Sequence, residues 1–513
     1  MFIQNTKFTF PFTNFNLIFD FNPQNQLIAL SFIIITTILN LYTISKKRKL
    51  ECLIGSLYCL SSIVCVFAAD FISMIISIEF MTIFTCIIIF CEQLKIQPLR
   101  QYFITHLFSS GLILIGMTLQ ITTISNTAFI SLTESVNHFK LPSILILTGC
   151  LINAATIFVN GWVVNCYPAA SSSGVVYLIS FTTKVSLIII LKLFSGLEIL
   201  KLFGISMMIY GLVLSLIEKN LKRLICYLTI SQLGFILAAI SINTPNIAYL
   251  ITSFIFMHIL YNGLFALYFT YIEDEYGIKN YQDLHKSSIN LNLLIGFVIS
   301  ILIYISILPM RSSYIKNAIA NILNEENIML FFKIITCTVL FELLLESLHL
   351  LYRRASRICN TNIKPFSIIE YFLNNALKTR HDIITILYLH CCIITLFLCL
   401  LYPIQISHNT NSNQLIIITI SLLLALIFRK IPRISTENIN LDLYQYIEKL
   451  IFFIVDKYTE KYDKKNVEAH INLKAILDNI LSKISAWHNQ QTAIFIVLFL
   501  LISFILTLYY TST

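Results

Sequence analysis

An all-α integral membrane protein with about fourteen spanning helices is the fold class this sequence predicts. Three observations carry that reading. First, the 513 residues are 57% apolar and only 12% charged, with a mean hydropathy of +0.81. Soluble domains carry about a quarter charged residues, so this chain lacks the material for a water-facing surface. The same numbers exclude intrinsic disorder, which needs low hydrophobicity and high net charge. Second, apolar runs of spanning length recur almost to the end of the chain, which excludes a single anchor on a soluble domain. Third, the basic residues fall in short loops between those runs, as a multi-pass topology requires.

The runs set the expected elements in order. They begin at 27–45, 52–68, 71–91, 102–122, 143–163, 175–195 and 202–217. They continue at 222–242, 248–272, a broken stretch 290–325, then 328–352, 383–403, 414–431 and 493–510. Residues 432–492 form the long polar interval. Its amphipathic patches, Leu443 to Phe453 and Leu473 to Trp487, suit a helix lying along the membrane or a partner, or a solvated linker helix. Residues 1–51 hold an N-terminal segment and the first helix, and 353–431 hold additional helices before the C-terminal helix at 493–513. The first 22 residues carry no compact apolar core or small-residue cleavage site, so no cleaved signal is expected.

The net charge of +9 would fit a nucleic-acid partner only if the charges clustered on one polar surface. Instead Lys46-Lys47-Arg48-Lys49, the Arg353, Arg354 and Arg357 group, and Arg429, Lys430 and Arg433 punctuate the spans. They are topology signals, so the expected partner is a lipid bilayer and no nucleic acid. The face holding 351–382 and the loop after 431 is expected to be cytoplasmic, with both termini opposite. The 13 cysteines lie mostly within spans and form no CxxC pair, so they act as small apolar residues and no metal or cofactor is expected. No Gly-rich nucleotide loop appears, so the chain is expected to be a transporter subunit before an enzyme acting alone.

Ionisable residues inside apolar runs carry the functional signal, because a charge at the bilayer centre costs about 3 kcal/mol. Glu79 sits within Ile72–Phe90, and Asp70 precedes it near the membrane end. Lys184 lies halfway along Val175–Lys192, and Lys316 follows the polar break Pro309-Met310-Arg311-Ser312-Ser313. His106 and His258 occupy otherwise apolar helices. These groups read either as a proton relay or as structural ion pairs between neighbouring helices. Glu342, Glu346 and His349, spaced i, i+4, i+7 on one face, read as structural because the stripe runs toward the basic rim.

Four stretches together give the chain a resemblance. They are Ala69-Asp70-Phe71 with Ile78-Glu79-Phe80-Met81, and Tyr167-Pro168-Ala169-Ala170 with Phe181-Thr182-Thr183-Lys184. The others are Asn220-Leu221-Lys222-Arg223-Leu224-Ile225-Cys226-Tyr227 with Ile230-Ser231-Gln232-Leu233-Gly234-Phe235, and the helix around His258. In order and spacing they resemble the antiporter-like, proton-conducting membrane subunit family. That family includes the D subunits of multi-subunit Na+/H+ (Mrp-type) antiporters and the pumping subunits of complex I. The tail Asn438-Ile439-Asn440-Leu441-Asp442-Leu443-Tyr444 and the helix after Trp487 resemble the antiporter-D branch.

The resemblance implies two five-helix repeats of inverted topology, here 52–195 and 202–352, with discontinuous helices at equivalent places. It implies a modulating Glu79, a central relay at Lys184, a link between halves at His258, an exit-side Lys316 and a loop-proximal Lys222. Asp70, His106 and Asn153 are secondary candidates. The implied function is a subunit of a monovalent cation (Na+)/proton antiporter, with other membrane subunits as partners and protons and monovalent cations as cargo. A proton-pumping subunit of NADH:quinone oxidoreductase and a non-transporting scaffold are the alternatives. A bacterial inner membrane is expected ahead of an organellar one.

The departures from the family bear on competence. Asn153 stands where the family has the first broken-helix lysine, and the run Asn160-Gly161-Trp162-Val163-Val164-Asn165 lacks the family's His and Pro-Asp. Asn262 and Ala266 replace a second His and a Lys, and the glycines around Pro309 are missing. Against the family, the chain begins one helix pair late.

Overall fold

The computed structural model describes residues 5–9, 16–93, 96–124, 126–244, 246–286, 291–305, 311–323, 325–358, 388–395, 414–429 and 433–436. These residues belong to one compact unit, Met1–Phe8 with Asn16–Asn440. The other unit, Thr9–Phe15 with Leu441–Thr513, contributes only Thr9 to them. The expected helix at 493–510 and most of the polar interval 432–492 lie outside the described residues.

The chain opens on a short two-stranded sheet, β1 Asn5–Thr9 and β2 Asn16–Asp20, which helical periodicity alone does not predict. Then follow α1 Pro23–Ser45, α2 Lys49–Phe67, α3 Phe71–Gln93, α4 Ile96–Ile124, a short α5 Thr133–Asn137 and α6 Leu141–Asn153. After a π turn Trp162–Cys166 and a 3-10 turn Tyr167–Ala169 come α7 Ser172–Ser180 and α8 Thr182–Phe194. The second half holds α9 Ile199–Ile217, α10 Leu221–Ile240, α11 Ile247–Tyr276, α12 Leu291–Ile305, α13 Arg311–Leu323 and α14 Glu326–Ile358. The helix Gln414–Phe428 packs along α14. Among the described residues nine helical stretches are long and apolar enough to cross a membrane, with α7 and α8 together forming one of them. The protein is a multi-pass helical membrane protein.

Polar side chains start these helices. Asn22 accepts the Asn25 N–H at 2.8 Å with Pro23 in the first turn of α1, Ser171 accepts the Gly174 N–H at 2.7 Å, and Asn220 accepts the Arg223 N–H at 3.1 Å. Each satisfies a donor that the first helical turn leaves without an intrahelical partner. At the other end of α11, Gly277 takes a left-handed φ of 67° that an ordinary residue resists.

Helices α10 and α11 form the centre of the bundle, and every residue in their most apolar windows is buried. Around them, α2, α4 and α9 turn Leu60, Phe108 and Leu202 outward, as helices facing lipid do. No hydrophobic drive exists between apolar helices in lipid, so close association relies on small residues. Gly234 of α10 meets Gly204 of α9 backbone to backbone; a Cβ at Gly234 would lie 2.5 Å from the Gly204 carbonyl oxygen.

One expected run is divided. The apolar stretch 143–163 is not a continuous helix, because α6 ends at Asn153. Ala155 and Phe158 then adopt φ of 57° and 72°, a left-handed conformation that non-glycine residues hold only where surroundings enforce it. Trp162 supplies part of that enforcement by donating its indole N–H to the Ile152 carbonyl at 3.1 Å.

Gly234→Leu should force α9 and α10 apart at a cost of about 2 kcal/mol. The check is the thermal midpoint of the purified protein in detergent, which should fall by several degrees.

Candidate functional site

Lys184 lies at the junction of α7 and α8. The chain leaves helical geometry at Phe181, with φ −114° and ψ −73°. Carbonyls in the last turn of a helix have no intrahelical acceptor role left to fill. Lys184 Nζ donates to one of them, the carbonyl of Ile179. The junction is held from α2, where the Tyr58 hydroxyl pairs with Thr182 Oγ1 and accepts the Thr182 N–H at 3.2 Å. Phe181 packs edge-on against both Phe32 and Tyr58. Lys184 is fully buried.

Lys316 on α13 repeats the device. Its Nζ donates to the carbonyl of Tyr304 at 2.7 Å. Ile179 and Tyr304 are each the penultimate residue of a helix, α7 and α12 respectively. An aromatic collar surrounds the second ammonium, with the rings of Phe254 and Tyr261 at 5.6 Å and Tyr304 at 5.8 Å. Ring faces stabilise a cation that has left water.

His258 lies on α11, its ring 6.1 Å from that of Phe254 and 5.3 Å from that of Tyr261, two of the rings around Lys316. It is fully buried, and neither ring nitrogen has a hydrogen-bond partner among the described residues. Gln232 on the adjacent α10 likewise has its amide oxygen and nitrogen without partners there. Lys184, His258 and Lys316 are thus all buried, and His258 and Lys316 share Phe254 and Tyr261 as neighbours.

The remaining candidates separate. Glu79 on α3 faces Ser110 of α4 and makes no ion pair among the described residues, so it does not contact Lys184 directly. His106, one turn before Ser110, faces Asn153 at the end of α6. Asp70 caps α3. Its carboxylate accepts the N–H groups of Ile72 and Ser73 at 2.9 Å and of Ile18 at 2.8 Å. Lys222 at the head of α10 pairs with Glu273 at 2.8 Å and donates to the Ala170 carbonyl at 3.1 Å.

That last pair belongs to a group the sequence reading missed. Glu273, Asp274 and Glu275 end α11, and each meets a basic partner: Lys222, Arg48 and Lys46. Arg48 grips Asp274 in a two-pronged contact at 2.9 and 3.0 Å and also donates to Ser173 at 2.9 Å. The signal was present as three consecutive acids closing an apolar run. Glu342 and Glu346 on α14 pair with Arg433 and Arg429, so they serve structure. Arg433 also lies over the Tyr281 ring at 3.9 Å and donates to the Ser215 carbonyl at 3.1 Å.

The interior of this helical membrane bundle is thus marked by two buried lysines that donate to helix-end carbonyls and by a buried histidine. Residues 68–342 match the family described as "NADH:quinone oxidoreductase/Mrp antiporter, TM", and the chain belongs to that family. It is 27% identical over 280 residues to NADH-quinone oxidoreductase subunit N 1 of Thermodesulfovibrio yellowstonii, covering 50% of this chain and 60% of that protein. It is 26% identical over 267 residues to NADH-ubiquinone oxidoreductase chain 2 of Rhizopus oryzae, covering 46% and 50%. The matches thus span about half to three fifths of those relatives.

Among solved structures, a chain of the Mrp complex from Dietzia sp. superposes with a TM-score of 0.60 at 14% identity, covering 81% of this chain and 85% of that one. A chain of the membrane-bound sulfane sulfur reductase, an archaeal respiratory membrane complex, gives 0.60 at 16% identity, with 94% and 92% covered. A chain of respiratory complex I from Thermus thermophilus gives 0.58 at 14%, with 77% and 87% covered. At these identities the likeness is one of fold, and each of the three is a multi-subunit assembly.

Arg48→Ala should leave the Asp274 carboxylate without its main partner and cost about 2 kcal/mol. A fall in thermal midpoint that Arg48→Lys only partly restores would separate the two-pronged geometry from charge alone.

Proposed function

We propose that this chain relays protons across the membrane as one subunit of a multi-subunit respiratory assembly. In this reading Lys184, His258 and Lys316 form the central relay. Glu79 modulates it through the groups lying between α3 and α8, and Lys222 with Glu273 marks its access to water. The observation that carries the reading is the repeated device of a buried lysine, Lys184 or Lys316, donating to the carbonyl of a helix's penultimate residue.

Like charges in a low-dielectric interior disfavour one another. Protonating one member of the row therefore favours release from the next, and a proton arriving at Lys184 drives one off toward Lys316. The helix-end carbonyls of Ile179 and Tyr304 stabilise each ammonium when it is charged. They hold no proton themselves, so they do not block its departure.

A monovalent cation/proton antiporter subunit is the second reading. It uses the same relay and is supported by the likeness to the Mrp complex. The names of the sequence relatives, subunit N and chain 2, support the respiratory reading instead. Purification with iron–sulfur subunits is the outcome expected for the first, and with small antiporter subunits for the second.

In proteoliposomes of the intact assembly, Lys184→Ala and Lys316→Ala should each slow coupled proton flux about 100-fold, the scale of a lost proton-transfer group. Glu79→Gln should reduce it as well. Unchanged flux in all three variants would leave the non-transporting scaffold as the surviving reading.

A further inference from the structure

We propose that buried hydroxyls on α2, α3, α4 and α8 and in the turn before α7 hold a chain of water molecules that takes over the task of the missing lysine at Asn153. This site joins Glu79 to Lys184, and the inference rests on the proposed relay through Lys184.

The path begins on α4, where Tyr102, His106 and Ser110 recur at four-residue spacing and so share one helix face. Glu79 faces Ser110. The His106 ring lies against Tyr102 at 4.1 Å and edge-on to Trp162 at 4.5 Å. Trp162 in turn packs on Tyr167 at 5.5 Å. The hydroxyls of Thr85, Tyr102 and Tyr167 all face the Tyr58–Thr182 pair at the α7–α8 junction. Lys184 lies two residues beyond Thr182.

The decisive feature is that these polar groups converge while several of them make no hydrogen bond of good geometry among the described residues. Thr85 Oγ1, Tyr102 Oη, Tyr167 Oη, His106 Nε2 and Asn153 Oδ1 are buried and have no hydrogen-bond partner among the described residues. All five belong to residues at most 4% exposed. Water is held in a protein interior where two to four polar groups meet. A hydroxyl both donates and accepts. Each oxygen in such a chain takes a proton from one neighbour and gives its own to the next, with no net change in bonding. Asn153 serves here as a hydrogen-bonding post, because its amide carries no exchangeable charge.

The left-handed turn at Ala155 and Phe158 gains a reason. It ends α6 at Asn153 and returns the chain so that Trp162 and Tyr167 wall the chamber.

Hydroxyl-radical footprinting of the intact assembly in its own membranes tests occupancy. Tyr102, Tyr167 and Trp162 should oxidise at least about fivefold faster than Tyr268, since bound water is the radical source. Tyr268 is equally buried and bonds directly to Ser347 at 3.1 Å. Equal protection of all four would overturn the site. Function is tested by the double variant Tyr102→Phe/Tyr167→Phe, which should slow proton flux about tenfold with an unchanged thermal midpoint. Adding Asn153→Lys should restore it. Normal flux in the double variant, with Lys184→Ala inactive, overturns the water relay and leaves the Lys184 role standing. Normal flux in Lys184→Ala overturns the functional reading, and the footprint still decides the water site.

Discussion

The structure depends on one constraint: a charge or an unpaired backbone group inside the bilayer needs a partner, because no solvent supplies one. Lys184 and Lys316 satisfy it by donating to carbonyls that helix ends release, at Ile179 and Tyr304. One interaction thus resolves two costs, that of a buried ammonium and that of an orphaned carbonyl. It also explains why lysines sit beside the ends of half-helices. A carbonyl partner stabilises charge without competing for the proton, so the group stays able to titrate. A permanent carboxylate partner would fix it.

Carboxylate pairing is instead kept to the ends of the bundle. Glu273, Asp274 and Glu275 each meet a base from a different part of the chain, and Glu342 and Glu346 meet Arg433 and Arg429. These pairs tie α11 to the loop after α1 and to the head of α10, and α14 to the segment beyond the helix Gln414–Phe428. Interior groups such as Glu79 and His258 carry no ion pair among the described residues. Paired charges thus lock the frame, whereas these interior groups are held without an ionic partner there.

Strain gathers in the first half of the chain. Asn153 is followed by two non-glycine left-handed residues and a π turn, close to a row of hydroxyls without hydrogen-bond partners among the described residues. Strain of this kind persists where surrounding packing over-determines it, and here Trp162, Tyr167 and Tyr102 provide that packing.

The sequence by itself determined the membrane class, most span boundaries and the interior candidates Glu79, Lys184, His258 and Lys316. It could do so because hydropathy is a local property and a charge in an apolar run stands out. It did not separate Asp70, which caps a helix, from Glu79, which does not. Both are acids at one end or the middle of the same run, and only the neighbouring strand β2 and the turn at Ser73 reveal the cap. It did not mark Tyr58, Tyr102 or Tyr167 either, since tyrosines are common in membrane helices and carry no charge. Their convergence on Thr182 joins three helices and a turn from across more than a hundred residues, a relation that exists only after packing. Local chemistry named the charges; tertiary structure decided which are locked in ion pairs and which are buried without one.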